Sequence, residues 1–485
     1  MSCFRDLALQ YIDGEWRAGG GSWDIIDFNP YNEEKLASIT VATVEEVDQA
    51  YRAAERAQTA WAATNPYTRR GVFERALRII EDREDELAEA IVAELGGTRG
   101  KAAFELHLAR DFMREAIHLS LRPEGRILPS PIDGKENRVY RLPVGVVGVI
   151  SPFNFPFLLS LKVVAPALAL GNAVVLKPHQ NTPILGGTML AKVFEEAGLP
   201  PGVLNVVITD IAEIGDALLE HPVPSVIAFT GSDRVGRHVA TVCAGHFKRT
   251  VLECGGNSAL VVLDDADVDY AVDAAVFSRF VHQGQACMAA NRVLVDRSLL
   301  DEFTGKFVAR VGALRTGDPS EPGTHVGPLI NSSQVETVMA AVQQTVAAGA
   351  RVLVGGTCEG NVVAPTVLAD VPADAPVLAQ EIFGPVALLI PFDGEDEAVR
   401  IANDTPYGLS GGVHTRDVER GVRFARRIRT GMIHVNDGIV HDEPIVPFGG
   451  EKHSGVGRLN GDATVEAFTT QKWISVQHAR STFPI

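Results

Sequence analysis

The chain has 485 residues, a length that usually forms two or three domains rather than one hydrophobic core. Its formal net charge of -17 argues against nucleic acid as a partner, because such binding relies on Lys and Arg contacts to phosphate. The five cysteines, an odd number without paired spacing, predict a reduced, cytoplasmic protein rather than a disulfide-linked secreted one.

Neither the amino terminus nor the longest apolar region is expected to target or anchor the chain. Residues 1–9 include Arg5 and Asp6 and lack the apolar core of a signal peptide. The apolar region 144–176 is interrupted by three prolines, two asparagines and one lysine. These interruptions predict that it does not span a membrane.

Two helices are predicted before residue 100. The sequence Thr43-Val44-Glu45-Glu46 has the form of a capping box, and apolar residues at helical spacing follow it. This pattern predicts a helix over 43–61. A further run of apolar residues at the same spacing predicts a helix over 71–95.

From residue 144 the pattern changes to short β-branched runs that alternate with helical segments. The runs are Val144–Ile150, Ala173–Leu176, Val203–Ile208, Val226–Phe229 and Leu260–Leu263, and after about residue 290 Val293–Val295, Val352–Val354, Val386–Ile390 and Met432–Val435. Such alternation is typical of parallel sheets with helices on both faces. It predicts two α/β domains, one before and one after about residue 290.

Two segments fit neither domain. Residues 125–143 are polar and rich in proline and arginine, and they are predicted to be extended. The tail segment Thr469–Val476 has the composition of a strand. An exposed strand edge is usually covered by a partner, although a hairpin packed on its own subunit is the alternative.

Four motifs carry the chemistry. The segment Phe280-Val281-His282-Gln283-Gly284-Gln285-Ala286-Cys287 offers one thiol in a turn of small residues, and Glu253 offers a carboxylate just before Gly255-Gly256-Asn257. The segments Ser151-Pro152-Phe153-Asn154-Phe155-Pro156 and Glu381-Ile382-Phe383-Gly384-Pro385 complete the set. In this order and spacing, over roughly residues 8–480, the motifs resemble the NAD(P)-dependent aldehyde dehydrogenase superfamily.

The resemblance implies an α/β fold with two Rossmann-like parallel-sheet domains, one for the cofactor and one for catalysis, plus a small β bridging element. The dinucleotide-binding domain is expected over 1–124 and 144–253, and the catalytic domain over 254–465. The bridging and oligomerisation element is expected over 125–143 and 466–485. The family uses this element to complete a homodimer or homotetramer.

The cofactor turn is expected at the end of one predicted strand. The fingerprint GxGxxG follows none of the predicted strands. Instead, a strand ending at Phe229 leads into a helix that begins near Asp233, and the N–H groups of a helix start favour a pyrophosphate. By pattern alone, an ordinary capped glycine turn is an equal alternative. The resemblance implies that Gly231, Ser232 and Gly236 form the family's cofactor turn.

The resemblance implies further cofactor contacts at Lys177, Gln180, Glu381 and Phe383, although the pattern alone also fits a solvated lysine and a surface glutamate. Lys177 ends a predicted strand, where ligands bind in open α/β sheets, and matches a lysine that contacts the adenine ribose. The carboxylate of Glu381 matches one that holds the nicotinamide ribose. Gln180 replaces a glutamate common in NAD-specific relatives and does not repel a 2′-phosphate, so NAD use with acceptance of NADP is expected.

Aldehyde oxidation by hydride loss first requires a tetrahedral centre, and cysteine is the side chain best suited to form one. The resemblance implies that Cys287 attacks the carbonyl, while the Asn154 amide and the backbone N–H of Cys287 stabilise the oxyanion. Glu253 is then expected to act as the general base for the water that hydrolyses the thioester.

The remaining cysteines and histidines are not expected to be catalytic. His282 is predicted to pack or to line the substrate tunnel rather than to act as a base for Cys287. No metal site is predicted, because no histidine has ligand spacing with a cysteine. The other cysteines are predicted to be packing residues: Cys3, Cys243, Cys254 and Cys358.

The expected substrate tunnel is apolar and partly aromatic, without a cation to bind a substrate carboxylate or phosphate. Its residues are Phe155, Leu158, Leu159, His282, Met288, Ile439 and Phe448. This lining suits a flat apolar aldehyde, and the sequences at 253–258 and 282–288 resemble the benzaldehyde and vanillin dehydrogenase branch.

Several other activities stay open at this point. They are a semialdehyde or aliphatic aldehyde dehydrogenase, a CoA-acylating aldehyde dehydrogenase, a thiol hydrolase without a redox step, and a catalytically silent protein on the same fold. Glu253 favours hydrolysis over transfer to CoA, because CoA-acylating relatives usually lack this glutamate.

Overall fold

The computed structural model describes residues 2–483, with side chains from residue 4 onward. The α-helices are Ser2–Asp6, Val44–Ala63, Pro66–Asp82, Glu84–Leu95, Arg99–Leu119, Pro156–Ala169, Met189–Glu196, Ile211–Ile214, Ala217–Glu220, Asp233–Gly245, Val268–Phe280, Leu300–Gly312, Ser332–Ala347, Glu395–Asn403, Val418–Ala425 and Gly461–Phe468. In this part of the chain, no helix combines the length and apolar content that crossing a bilayer requires.

The strands form three larger sheets and two short hairpins. In spatial order, the first sheet contains Glu15–Arg17, Gln10–Ile12, Leu204–Val206, Ala173–Lys177, Val146–Ile150, Pro224–Thr230, Arg249–Glu253 and Gly455–Val456. The second contains Arg351–Val354, Thr366–Ala369, Val386–Phe392, Ala290–Asp296, Ser258–Val262, Gly411–His414 and His434–Val435. The third contains Thr469–Gln477, Lys135–Pro143 and Arg126–Leu128, and the hairpins pair Asp24–Phe28 with Lys35–Thr40 and Cys358–Glu359 with Val362–Val363.

The first sheet has five parallel central strands. Along the sheet they follow the chain order third, second, first, fourth, fifth, so the order reverses between Val146–Ile150 and Pro224–Thr230. Ligands of open α/β sheets bind at the carboxyl ends of the strands near such a reversal. The fold therefore predicts a ligand site at the loops that follow these strands.

Helices cover both faces of this first sheet. The largest apolar cluster lies where Pro66–Asp82, Arg99–Leu119 and Pro156–Ala169 pack on one face. A smaller cluster on the other face includes residues of Val44–Ala63 and of Asp233–Gly245. The buried strands between two helical layers explain the β-branched composition of the central runs.

The second sheet is parallel across six strands, as expected for a second α/β domain. Its edge strand Arg351–Val354, expected within the parallel alternation, instead runs antiparallel to Thr366–Ala369. A hairpin-like return is possible there because no helix lies between these two strands. The predicted α/β class with two parallel sheets is confirmed.

The third sheet is antiparallel and joins distant parts of the chain. Thr469–Gln477 pairs with Lys135–Pro143 along its whole length, and Arg126–Leu128 forms the opposite edge. The extended character predicted for both segments is therefore confirmed. The domain limits stay a prediction: Gly455–Val456, within the predicted catalytic segment, pairs with Arg249–Glu253 of the first sheet.

The helix predicted over 43–61 is present as Val44–Ala63, and Thr43 and Glu46 form its capping box. The single helix predicted over 71–95 is wrong, because the chain leaves helical geometry at Arg83 and forms two helices. The Arg83 guanidinium bonds Glu86 and Glu196. Acidic residues fill the first turn of the second helix, where the helix dipole favours them.

Candidate active site

A cavity of about 800 Å³ runs along the carboxyl ends of the central strands of the first sheet. Its lining includes ten of the predicted site residues: Asn154, Leu159, Lys177, Gln180, Gly231, Ser232, Glu253, Cys287, Glu381 and Phe383. The other seven lie outside this lining: Phe155, Leu158, Gly236, His282, Met288, Ile439 and Phe448. Residues separated by more than two hundred positions therefore meet in one space.

A tight turn places Cys287 in the cavity. His282, Gln283 and Gly284 all have positive φ in the turn that precedes it, and the strand Ala290–Asp296 begins just after it. On the opposite side, a Cβ atom at Gly256 would lie 2.3 Å from the carbonyl oxygen of Cys287. Only glycine fits at position 256, so the Gly-Gly motif lets the Cys287 loop approach Glu253.

The thiol of Cys287 is protonated in this environment. Burial raises its pKa well above the ordinary value, and the carboxylates of Glu381 and Glu253 raise it further, while Lys162 opposes them. Because the thiolate is the nucleophile, Cys287 needs a base to accept its proton. The nearest carboxylates in the cavity are the groups able to do this.

Glu253 is a buried carboxyl beside a buried ion pair. It ends the strand Arg249–Glu253, and its Oε1 has no hydrogen-bond partner among the described residues. The Lys162 ammonium lies 3.9 Å from that oxygen and 2.7 Å from Asp442. Burial raises the pKa of Glu253 to about 7, with Lys162 lowering it and Asp442 raising it. Glu253 can therefore take up and release a proton near neutral pH.

Asn154 is buried at the carboxyl end of the strand Val146–Ile150. Its Nδ2 donates to the carbonyl oxygen of Gln285, at 2.9 Å, which ties it to the Cys287 turn. An amide nitrogen carries two N–H groups, so a second one is available to a ligand oxygen. The structure thus brings Asn154 to the same cavity as Cys287.

Glu381 lies against the backbone that follows Glu253. Its Oε1 accepts a hydrogen bond from Gly256 N at 2.9 Å, and a Cβ atom at Gly255 would lie 2.3 Å from its Oε2. The buried Arg279 guanidinium bonds the carbonyl oxygens of Ile382 and Gly384 and so holds this turn. Burial raises the pKa of Glu381 to about 7, opposed by the Gly256 bond and by Arg279.

The cofactor turn predicted after Phe229 is present, and it leads directly into the first turn of a helix. Ser232 caps the helix Asp233–Gly245 by accepting from Val235 N, and Gly231 and Ser232 line the cavity. Gly236 does not, because a Cβ atom there would lie 2.5 Å from the Cys254 sulfur. Gly236 therefore accommodates Cys254 rather than contacting the cavity.

Lys177 ends its strand and lines the cavity together with His179 and Gln180, as the sequence predicts for a lysine at that edge. Burial lowers the pKa of His179 to about 4, and Lys177 adds to this, so the ring is neutral. Phe153 packs between His179 and Phe383, at ring-centroid distances of 5.3 and 5.7 Å. Phe153 thus links Phe383 to the segment that holds Lys177 and His179.

The predicted tunnel residues divide into two groups. Phe155, Leu158, Leu159 and Met288 lie in or against one apolar cluster, whereas Ile439 is fully buried in the core of the second sheet. The His282 ring contacts Phe155 edge-on at 5.2 Å, and burial lowers its pKa well below the usual range. Phe448 lies under Lys162, whose ammonium is 3.4 Å from the ring centroid.

The remaining cysteines are unpaired among the described side chains. Cys243 and Cys254 are buried in one apolar cluster, as packing residues should be. The expectation for Cys358 is wrong, because it is exposed in the two-residue strand Cys358–Glu359. Cys3 lies outside the described side chains. No group of His, Cys, Asp and Glu residues able to hold a metal ion occurs within residues 2–483.

Sequence reasoning missed Lys162 and Asp442, a buried ion pair that lies beside Glu253 and outside the cavity lining. Lys162 lies in the helix Pro156–Ala169, whose other residues are apolar or small. A charged residue in such a helix is almost never fully buried without a partner. That signal was present, but the partner, 280 residues away, was not identifiable from the pattern.

Comparison with known proteins gives the same assignment from the whole chain. The family model "Aldehyde dehydrogenase family" matches residues 16–474. The chain is 55% identical to "Benzaldehyde dehydrogenase YfmT" of Bacillus subtilis, over 100% of both proteins. It is 46% identical to a vanillin dehydrogenase of Corynebacterium glutamicum, over 98% of each.

A solved structure extends this similarity to three dimensions. The crystal structure of a NAD-dependent benzaldehyde dehydrogenase from Corynebacterium glutamicum superposes with a TM-score of 0.90 at 43% identity, covering 98% of this chain and 97% of that one. The chain therefore belongs to the aldehyde dehydrogenase family, whose members are oxidoreductases that act on aldehydes.

Proposed function

We propose that this protein oxidises an aromatic aldehyde of the benzaldehyde or vanillin type to its carboxylic acid, with NAD as cofactor and NADP also accepted. The observation that carries the proposal is the single cavity shared by Cys287, Asn154 and Glu253. The substrates named for the relatives above, benzaldehyde and vanillin, support the aryl class.

In the proposed first step, the Cys287 sulfur adds to the aldehyde carbonyl. Because burial keeps the thiol protonated, a carboxylate of the cavity, Glu253 or Glu381, accepts its proton as the C–S bond forms. The free N–H of the Asn154 amide and the backbone N–H of Cys287 donate to the oxygen that becomes negative. Each such donor contributes about 3–4 kcal/mol to transition-state stability where it has been measured by mutation.

In the proposed last step, Glu253 is unprotonated, because the proton removed from the thiol has passed to solvent, and it accepts a proton from the water that attacks the Cys287 thioester. It then returns this proton to the sulfur as the C–S bond breaks. A carboxyl whose pKa is about 7 is well matched to this, since a general base works best when its pKa lies near the operating pH. The acid leaves and the thiol is restored. This use of Glu253 favours hydrolysis over transfer of the acyl group to CoA.

The cavity fits a dinucleotide. Lys177, Gln180, Gly231, Ser232, Glu381 and Phe383 are the residues that would hold it. A capped helix start at Ser232 suits its pyrophosphate, and the Glu381 carboxylate can accept from two ribose hydroxyls. When bound, the nicotinamide ring would supply the hydride acceptor.

Aromatic side chains support the aryl substrate class. Phe153 and Leu159 line the cavity together with Asn154, and Phe155 and Phe448 are buried outside that lining. Flat rings pack well against such surfaces. A pocket of this kind favours an uncharged ring over a flexible semialdehyde that carries a second carboxylate.

We also infer that the protein assembles as a homodimer or homotetramer in the cytoplasm. The third sheet exposes Ile127, Leu142, Trp473 and Ile474, and apolar surface on an open sheet is usually covered by a partner. The predicted limits 1–124 with 144–253, 254–465, and 125–143 with 466–485 follow this division into two cores and a bridging sheet. The unpaired cysteines support a reducing compartment.

The test is steady-state reduction of NAD and of NADP with benzaldehyde, vanillin, a short aliphatic aldehyde and succinic semialdehyde. We expect the highest kcat/KM for the two aryl aldehydes, and a loss of about 10³-fold or more in Cys287→Ala. The Cys243→Ala variant is the control, because that cysteine is buried away from the cavity. A higher kcat/KM for the aliphatic aldehyde or the semialdehyde would contradict the aryl assignment, and acyl-CoA formation would contradict hydrolysis.

A further inference from the structure

The two ends of the cavity lie at opposite sides of the first sheet. Glu253 ends one outer parallel strand, and Asp210 follows the other, Leu204–Val206. Four strand spacings separate these strands, which is about 19 Å. The helix start at Ser232 lies between the two ends.

This spacing indicates at which end of the cavity each half of a bound dinucleotide would lie. The assignment rests on the proposed function. If the reacting ring lies beside Cys287 and Glu253, and the pyrophosphate lies at the Ser232 helix start, the adenosine must extend to the far end. Lys177 and Asp210 line that end. NAD and NADP differ only there, by a phosphate on the adenosine ribose.

Asp210 presents a free negative charge at the adenosine end. It is half-buried, and it caps the helix Ile211–Ile214 by accepting from Ala212 N through Oδ1. Among the described side chains, no Lys, Arg or His nitrogen lies within 4.0 Å of its carboxylate. Burial lowers the pKa of Lys177, and Asp210 opposes this effect, so the two charges act on each other across the cavity.

The other groups at this end do not offset that charge. Gln180 is neutral, and the pKa of His179 lies near 4, so its ring is also neutral. The His238 ring nitrogen Nε2 lies 2.7 Å from Oδ1 of Asp216, so this ring is hydrogen-bonded to a different carboxylate. No arginine lines the cavity in the described part of the chain, although arginine is the usual partner of a ribose 2′-phosphate. Lys177 alone faces Asp210.

We propose that Asp210 is the residue that makes this protein prefer NAD to NADP. Its carboxylate supplies the repulsion toward a 2′-phosphate that the neutral side chain at position 180 does not. Specificity of this kind arises from a charge placed against the wrong ligand. NADP is accepted at lower affinity because Lys177 offsets only part of the repulsion.

The test is the dissociation constant of NAD and of NADP, measured by isothermal titration calorimetry without aldehyde. Asp210→Asn is the first variant, because asparagine caps a helix as well as aspartate does. We expect the ratio of NADP to NAD dissociation constants to fall about tenfold, which corresponds to ~1.4 kcal/mol. Asp210→Ser, which also caps, must shift the ratio in the same direction.

Glu213→Gln is the matched control. It removes one negative charge from the same short helix, but Glu213 does not line the cavity and keeps an acceptor oxygen for Trp23. We expect the ratio to stay within about twofold of the parent. An unchanged ratio in both Asp210 variants, or an equal change in Glu213→Gln, overturns the assignment of Asp210. Failure of the parent to bind NAD at all would instead overturn the proposed function, and the Asp210 assignment with it.

Discussion

At the scale of single residues, burial and two neighbouring charges together set the pKa of the Glu253 carboxyl. Lys162 and Asp442 have opposite effects on its pKa, and burial outweighs both. The ion pair itself is almost completely buried, with the Lys162 side chain 1% exposed and that of Asp442 8% exposed. Asn460 holds Asp442 from the other side, through a 2.7 Å hydrogen bond.

Replacing Lys162 by methionine should raise the pKa of Glu253. Because a nearby cation favours the carboxylate, its loss should move the acid limb of the kcat profile up by about one pH unit. Asp442→Asn should move the limb to lower pH, since Asp442 disfavours the carboxylate. The acid limb of each variant is measured from steady-state kcat over about pH 5–10, with Lys162→Arg as the conservative control. Movement in the same direction in both variants would show that packing, not charge, is responsible.

Replacing Glu253 by glutamine should separate the two halves of the reaction. Without a base for water, the Cys287 thioester should accumulate, and kcat should fall by about 10²–10³-fold. Rapid mixing should show a burst of reduced cofactor, and intact-protein mass spectrometry should show the acyl group on the enzyme. A thioester that turns over at the parent rate would rule out Glu253 as the base for hydrolysis.

At the scale of elements, two buried carboxyls join the hairpin Asp24–Phe28 and Lys35–Thr40 to the helix Glu84–Leu95. Glu94 accepts hydrogen bonds from Ile184 N and Leu185 N, while the buried Asp27 carboxyl lies close to Glu94 and the Phe28 backbone N–H. Burial raises the pKa of Glu94 to about 8, and burial with the Glu94 charge raises that of Asp27 well above its usual value. The hairpin is therefore held by a carboxyl pair that retains a proton at neutral pH.

This pair should make stability depend on pH. Groups whose pKa is raised on folding contribute stability that is complete below the unfolded value near 4 and is lost as the pH rises to about 8. Asp27→Asn removes one of the two groups and keeps a donor for Glu94. Its Tm should therefore fall less than that of the parent between about pH 5.5 and pH 8.5.

Asp24→Asn is the control for this experiment, measured by the same calorimetric scans. Asp24 lies in the same strand but is exposed, and bonds from Ser38 and Thr40 lower its pKa. A carboxyl whose pKa is lowered on folding contributes stability that is lost only at acid pH. The Tm of Asp24→Asn should therefore fall as much as that of the parent between about pH 5.5 and pH 8.5. Equal slopes in the parent and Asp27→Asn would contradict the shared proton.

At the scale of the whole molecule, the third sheet is the part that its own chain leaves uncovered. Thr469–Gln477 is the outer strand on one side, and within residues 2–483 no other strand pairs with its free edge. Ile127 is 72% exposed and Trp473 65% exposed on this sheet. A flat, open and partly apolar sheet of this kind is expected to pair with a second copy of the chain.

The double variant Ile127→Asp with Ile474→Asp should therefore weaken assembly, because both residues pair with Arg138 and so lie on one face of the sheet. Charges on an apolar contact surface lose their hydration when it is buried, so the assembled state becomes less stable. Light scattering after size exclusion should show the mass of one chain for this variant and a multiple of it for the parent. Tyr67→Asp is the control, because Tyr67 is 70% exposed and belongs to the helix Pro66–Asp82, not to this sheet. A parent of single-chain mass would remove the basis for the proposed assembly.

Local sequence patterns were sufficient for most of the elements and for the principal site residues. The capping box at Thr43, the β-branched runs and the small-residue turn before Cys287 act over a few neighbouring positions, so they can be identified without the fold. The break at Arg83 escaped this reasoning because the apolar spacing continues across it. Apolar spacing alone did not distinguish one helix from two.

The sequence by itself determined the α/β class, the family, and the presence of a thiol, a carboxylate and an amide suited to aldehyde oxidation. Only the tertiary structure decided which charges meet: Lys162 with Asp442 beside Glu253, Asp27 with Glu94, and Asp210 opposite Lys177. The physical reason is that secondary structure follows local backbone and side-chain preferences. Electrostatic partners and pKa values instead follow from distance and burial, which are set when distant segments pack.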